Sequence, residues 1–140
     1  MQVKICAEKL IDAAEQARKS AYAPYSHYTV GAALLAADGT IYCGGNIENG
    51  SYGATNCAER TAFFKAVSEG VRSFAAIAIV GGMEGKVPLE YAYPCGICRQ
   101  VMQEICDKDF RVYVGRSKED YREYTLGELL PFGFGGDLIQ

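Results

Sequence analysis

The chain contains no run of basic residues, no unbroken apolar stretch long enough to span a membrane and no internal repeat, and it has a single histidine, His27. Its 14 Lys and Arg against 17 Asp and Glu give a net charge of −3, and the basic residues are scattered. Such a chain lacks the electrostatic footprint for gripping a phosphate backbone, so nucleic acid is not expected as a partner. The opening residues, MQVKICAEKLIDAAEQARKS, interleave charge with apolar positions and read as neither a signal peptide nor a membrane span. A cytoplasmic protein with no membrane partner is the expectation, with His27 on an exposed polar loop.

With 140 residues, 49% hydrophobic and 22% charged, and with 16 Gly spread along it, the chain has the size and composition of one globular domain, residues 1–140. Residues 3 to about 20 set Ile5, Leu10, Ile11, Ala14 and Ala17 on one face at helical spacing, with Lys9, Asp12, Glu15 and Arg18 on the polar remainder, predicting an amphipathic helix. TVGAALLAADGTIYCGGN reads as two apolar runs joined by an Asp38-Gly39 turn, an antiparallel pair. CAERTAFFKAVSEG predicts a second helix ending at Gly70, FAAIAIVGG a strand covered on both faces, CRQVMQEIC a third helix and FRVYVG another strand. A short helix in LGELL and a Gly-rich tail close the chain. The order α, β, β, α, β, α, β, α predicts an α/β fold with three layers, α/β/α, a mixed central sheet with helices on both faces.

Six cysteines in a chain with an adequate core point away from disulfides and toward metal binding or thiol chemistry. Two segments concentrate them: Cys57-Ala58-Glu59-Arg60 at the head of the second helix and Pro94-Cys95-Gly96-Ile97-Cys98 at the head of the third. If the two helix starts converge, Cys57, Cys95 and Cys98 form a three-thiolate zinc site with its fourth position open, the arrangement of a catalytic and not a structural zinc. Glu59 then lies near the metal without ligating it, a candidate proton carrier. Alone, the C-x-x-C reads equally as a redox pair or as two buried thiols; the second motif removes that ambiguity. Cys6, Cys43 and Cys106 have no partner motif and are expected as small buried side chains.

The linked motifs VGAALL, NIEN, CAERTA and PCGICRQ, followed by LLPFGF, resemble in order and spacing the small homotetrameric zinc-dependent cytidine deaminases, over essentially the whole chain. That resemblance implies one zinc per chain on Cys57, Cys95 and Cys98, acid/base catalysis by Glu59, and water attack at C4 of a cytosine ring with Glu59 carrying a proton to N3. Its substrate would be a small nucleoside, cytidine or 2′-deoxycytidine, in pyrimidine salvage. Asn46 and Glu48, expected to end the second hairpin strand two residues apart on one face, offer a carboxamide and a carboxylate side by side; the resemblance gives them the ribose 3′-hydroxyl. Ala58, Tyr28, Tyr52 and Phe134 are further implied substrate contacts, the last two reaching a neighbouring subunit's site. At the position of Tyr28 the family commonly has Phe, so here a phenol must be hydrogen-bonded or wet.

Three thiolates on one divalent ion leave a net negative charge that weakens the metal as a Lewis acid. Arg60 resembles the family arginine that hydrogen-bonds the ligand sulfurs and offsets that charge; otherwise it is an ordinary surface arginine. Phe132 and Phe134, two large rings in a Gly-rich segment, are expected either at a subunit interface or packed on their own sheet. Deamination of another ring, a zinc-stabilised module without turnover, and polynucleotide editing are the rival functions. The NIEN and CAER segments, the presence of Glu59, and the net acidity with no basic stripe oppose them in turn.

Overall fold

The apolar runs become strands whose alternate residues face opposite sides of one sheet. The computed structural model describes residues 3–135, in the order α1 (Ala7–Arg18), β1 (Tyr28–Ala36), β2 (Ile41–Gly45), α2 (Ala58–Ser68), β3 (Phe74–Met83), α3 (Gly96–Ile105), β4 (Arg111–Ser117), β5 (Asp120–Thr125) and α4 (Leu126–Leu129). A 3₁₀ turn at Tyr52–Ala54 lies between β2 and α2. The strand order is β2-β1-β3-β4-β5, with β3 and β4 parallel and the other neighbours antiparallel. This is the mixed sheet between helical layers that the pattern predicts.

On one face Ala33, Leu35, Ala76, Ala78, Val80 and Tyr113 pack against Leu10, Ile11 and Ala14 of α1. On the other, Ala32, Leu34, Ile77, Ile79, Val112 and Val114 meet Ala62 and Phe63 of α2, Met102 of α3 and Leu126 of α4. Removing each such Leu, Ile or Val from water contributes about 1.5–3 kcal/mol. Two glycines in paired strands set how closely the layers approach. A Cβ at Gly31 would stand 2.0 Å from the Ala14 carbonyl oxygen, and one at Gly44 would stand 2.8 Å from that of Ala58. α1 therefore rests on backbone at Gly31, and the first turn of α2 rests on backbone at Gly44.

Four sequence expectations need correction. β5 was not among the predicted elements: its sequence, DYREYT, is charged and never fully buried, so hydrophobic alternation is weak, as suits an edge strand. α1 begins at Ala7, after an extended N-cap at Cys6, and Val3 and Ile5 precede the helix while packing against the α1 side of the core. Arg18, read as part of the polar face, donates to the carbonyls of Thr29 (3.0 Å), Gly82 (3.1 Å) and Met83 (3.2 Å), pinning the end of α1 to β1 and β3. Cys6 is exposed at the N-cap of α1, while Cys43 is half-buried and Cys106 buried. His27 is exposed, as expected, 3.8 Å from Glu84.

Candidate active site

Cys57 is the N-cap of α2 and Cys95 the N-cap of α3; both have extended backbone, and neither thiol caps its own helix. Their side chains turn instead toward each other, with 3.7 Å between the two Sγ atoms. Cys98, three residues after Cys95, joins them, and all three sulfurs lie within 4.8 Å of one another. Sulfurs held about 2.3 Å from a tetrahedral zinc stand about 3.8 Å apart, so the trio fits that ion. Cys98 is buried, Cys57 partly buried and Cys95 exposed, which closes the cluster on the core side and opens it on the other.

Arg60, one turn into α2, donates from Nη2 to Cys57 Sγ (3.2 Å) and from Nε to Cys98 Sγ (3.4 Å). The expected contact with the ligand sulfurs is thus present, and the surface-arginine alternative is not what is observed. The Cys57 thiol is drawn down to about 5, first by its hydrogen bond with Cys98 and then, against burial, by Arg60. Cys98 is pushed the opposite way by the same bond and by burial. Zinc takes thiolate sulfur, so loading the trio releases the thiol protons it holds.

Glu59 is 4% exposed, and burial raises its carboxyl to about 7. It is one of the residues lining a cavity of about 280 Å³, together with Cys57, Ala58, Cys95, Tyr28 and Asn46. A carboxyl in that range can hold or release a proton near neutrality, as acid/base work requires. Tyr28 is half-buried in the cavity wall; its hydroxyl has no protein partner among the described residues and is not sealed from solvent, so of the two expected states it is the wet one. Burial, and secondarily Glu90, raise the phenol above its ordinary value.

Asn46 and Glu48 lie just past β2, flanking Ile47, which bridges to Tyr22 and Asn56. Asn46 accepts from the Val30 N–H (2.8 Å) and donates to the Tyr28 carbonyl (2.9 Å). Glu48 accepts from the N–H groups of Tyr25 (2.9 Å) and Ser26 (3.1 Å) and from the Ser26 hydroxyl. Glu48 and Tyr52 line an adjoining hollow that shares Thr55 with the main cavity. Phe134 lines neither; it stands 55% exposed, its carbonyl accepting from Gln100 (2.9 Å). The sequence reading missed Tyr91 and Tyr93, which line the main cavity immediately before Pro94 and Cys95. Their place next to the second thiol motif was the available signal.

Residues 4–114 match the model of the cytidine and deoxycytidylate deaminase zinc-binding region. The cytidine deaminase of Sporosarcina psychrophila is 58% identical over 127 residues, covering 91% of this chain and 90% of its own. That of Halalkalibacterium halodurans is 55% identical over 127 residues, covering 91% and 92%. The crystal structure of cytidine deaminase from Burkholderia pseudomallei superposes with a TM-score of 0.83 at 47% identity, covering 93% of this chain and 100% of that one. Sequence, sheet order and thiol trio agree, and the chain belongs to the cytidine deaminases, a family of zinc-dependent hydrolases.

Proposed function

We propose that residues 1–140 form a single catalytic domain acting on free nucleosides. It hydrolyses cytidine and 2′-deoxycytidine to uridine and 2′-deoxyuridine, releasing ammonia in pyrimidine salvage. The observation that carries this reading is a buried, protonatable Glu59 in the same small cavity as Cys57 and Cys95, two members of a thiol trio in which Arg60 donates to Cys57 and Cys98. Cys57, Cys95 and Cys98 hold one zinc per chain, which when bound supplies the Lewis acidity that makes water nucleophilic at neutral pH. Glu59 takes a proton from the attacking water and delivers it to ring N3 as oxygen adds to C4. It then takes the proton of the new C4 hydroxyl and passes it to the amino group, which leaves as ammonia as the C4–N bond breaks and the C4 carbonyl forms. Arg60, by donating to two sulfurs, draws charge from the thiolates and preserves that acidity.

Substrate capture falls to groups fixed in advance. Asn46 uses one lone pair of its carbonyl and one amide hydrogen on the backbone of β1, leaving one of each for a sugar hydroxyl. Glu48, oriented by Tyr25 and Ser26, supplies the acceptor beside it. Tyr28 and Ala58 wall the pyrimidine. The proposal extends to a homotetramer whose chains complete one another's sites. Tyr52, Phe132 and Phe134 are 80%, 100% and 55% exposed, large rings that a neighbouring chain would cover. Six free thiols suit a reducing compartment, and the reading puts the enzyme in the cytosol. Among the described residues no helix is long and apolar enough to cross a membrane.

The test is an ultraviolet assay of cytidine and 2′-deoxycytidine loss on protein of measured zinc content, with other amino-substituted rings alongside. Turnover of both nucleosides in proportion to zinc is expected; zinc-loaded protein inert on both overturns the reading. For the shared site, Glu59→Ala and Phe134→Ala chains are co-expressed with different tags. Mixed oligomers should exceed the sum of the parents' activities, and mixed assembly with no gain would return Phe134 to its own chain.

A further inference from the structure

Between β3 and α3 the chain must travel from the end of the central strand to Cys95 through residues 84–94, and it does so in two stages. First it returns along β3, with the Glu90 N–H donating to the Gly81 carbonyl (3.1 Å) and Leu89 buried. Then Tyr91, Ala92 and Tyr93 form one side of the active-site cavity and lead through Pro94 into Cys95. From the α3 side Arg99 Nε donates to the Pro94 carbonyl (2.8 Å). What steadies the tyrosines is β5.

Alternate residues of a strand share a face, and Asp120, Arg122 and Tyr124 all reach this one segment. Arg122 donates to the Tyr93 hydroxyl (2.8 Å), and its guanidinium carbon stands 4.0 Å from the centre of the Tyr91 ring. Tyr124 meets Tyr93 twice, hydroxyl to hydroxyl at 2.9 Å and edge to face with centres 5.8 Å apart. Asp120 accepts from the Tyr91 hydroxyl, and Arg116 of β4 approaches both Asp120 (3.6 Å) and the Tyr91 ring (5.3 Å). The other face of β5 is occupied elsewhere, Tyr121 with Tyr113 and Glu123 with Arg111. An edge strand of six polar or aromatic residues thus commits a whole face to the chain entering a metal-ligand position. A planar guanidinium stacked on one ring and bonded to a second fixes both rings at once, which a flexible ammonium does not.

We propose that Arg122 is a positioning residue for the active site: by stacking on Tyr91 and donating to Tyr93 it holds the outer wall of the cavity and the approach to Cys95. This rests on the nucleoside-deaminating reading of that cavity. It acts through its two tyrosines, which line the cavity, and is not itself among the lining residues.

The experiment measures zinc release to a chromogenic chelator, together with KM and kcat for cytidine, in zinc-loaded full-length protein. Arg122→Ala should release zinc several-fold faster and raise KM several-fold with kcat little changed. Arg122→Lys, able to donate but not to stack as a plane, should fall between it and wild type, and Tyr93→Phe should reproduce part of the change. Arg111→Ala, which breaks the exposed ion pair on the opposite face of the same strands, should match wild type in every reading. Wild-type zinc release and KM in Arg122→Ala overturn the proposal. So does Arg111→Ala losing zinc as fast as Arg122→Ala, because Arg122 would then act only through general stability of β4 and β5. If wild-type protein fails to turn over cytidine, the functional reading falls while zinc release still decides the role of Arg122.

Discussion

The face of the sheet under α1 and the face under α2 and α3 are cut from the same strands, with neighbouring residues pointing to opposite sides. Under α1 the buried helical residues are Ala7, Leu10, Ile11 and Ala14, all aliphatic. Under α2 the buried set includes Glu59 beside Ala58, Ala62, Phe63 and Ala66, and both helices on that side begin with a cysteine whose thiol is not used as a cap. Both faces are close-packed, so packing alone does not make a site. The difference is that one face brings two helix starts together and tolerates a buried carboxyl between them, while the other supplies a stiff backing. Chemistry on one side and support on the other should respond differently to substitution.

Glu59 gives the largest separation. Glu59→Ala should retain zinc, since the carboxyl is not among the three ligands, yet lose roughly 10²- to 10⁴-fold or more in kcat. Metal analysis and a cytidine assay on that one variant check both halves, and loss of zinc would make Glu59 part of the ligand structure. Arg60→Gln comes next. It removes the hydrogen bonds to two sulfurs, and about 10- to 100-fold should be lost, the usual range for a group one step behind a metal. The loss should appear in kcat with KM nearly unchanged, because the sulfur charge matters when the nucleophile forms; a change confined to KM would contradict the role.

The paired glycines sharpen the comparison most directly. Gly31 faces α1 and Gly44 faces α2, each with helix backbone inside the space a Cβ would need. Gly31→Ala and Gly44→Ala should both be overpacked by about 1–3 kcal/mol and melt several degrees lower. Only Gly44→Ala displaces the turn that carries Cys57 and Glu59, so it alone should also release zinc faster and lower kcat per folded molecule. Equal zinc loss in both variants would show that the α1 layer is not merely a support. Thermal melts and chelator kinetics on the pair decide this.

How much of this was legible beforehand follows the same division. Apolar periodicity revealed α1, β1, α2, β3, α3 and β4 because each has a buried face, and the two cysteine motifs revealed the trio because their spacing is chemical. β5 was invisible for the opposite reason: an edge strand with polar residues on both faces carries no hydrophobic signal, though its Tyr and Thr content favours a strand. Tyr91 and Tyr93 escaped for a related reason, since they owe their place to Asp120, Arg122 and Tyr124 some thirty residues away. Cys6 was misread because nothing in its neighbours marked Ala7 as the first helical residue, and a residue ahead of the first turn does not share the helix's apolar face.

The smallest expected effect concerns the cysteines that bind no metal, one on each side of the comparison. Cys106, at the end of α3, is 8% exposed in the core under α2 and α3, and burial pushes its thiol up to about 12. Cys6, at the start of α1, is exposed. Thiolate is the reactive form, so at pH 8 a disulfide reagent added to zinc-loaded protein should modify Cys6 first, Cys43 slowly and Cys106 last. Cys6→Ser should delete the fast phase and leave the others. The same burial has a pH consequence of fixed sign. In the unfolded chain the Cys106 thiol loses its proton near its ordinary value of 9.0, whereas in the folded protein it keeps it up to about 12. Its contribution is therefore fully present below pH 9 and declines as pH rises toward 12, by at most about 1.4 kcal/mol per pH unit. Cys106→Ala should accordingly flatten the alkaline fall of the melting temperature between pH 9 and 10.5, while Cys6→Ala should leave that slope unchanged. Equal slopes in wild type and Cys106→Ala would mean that the thiol is reached by solvent, and that the core under α3 opens more readily than its packing implies.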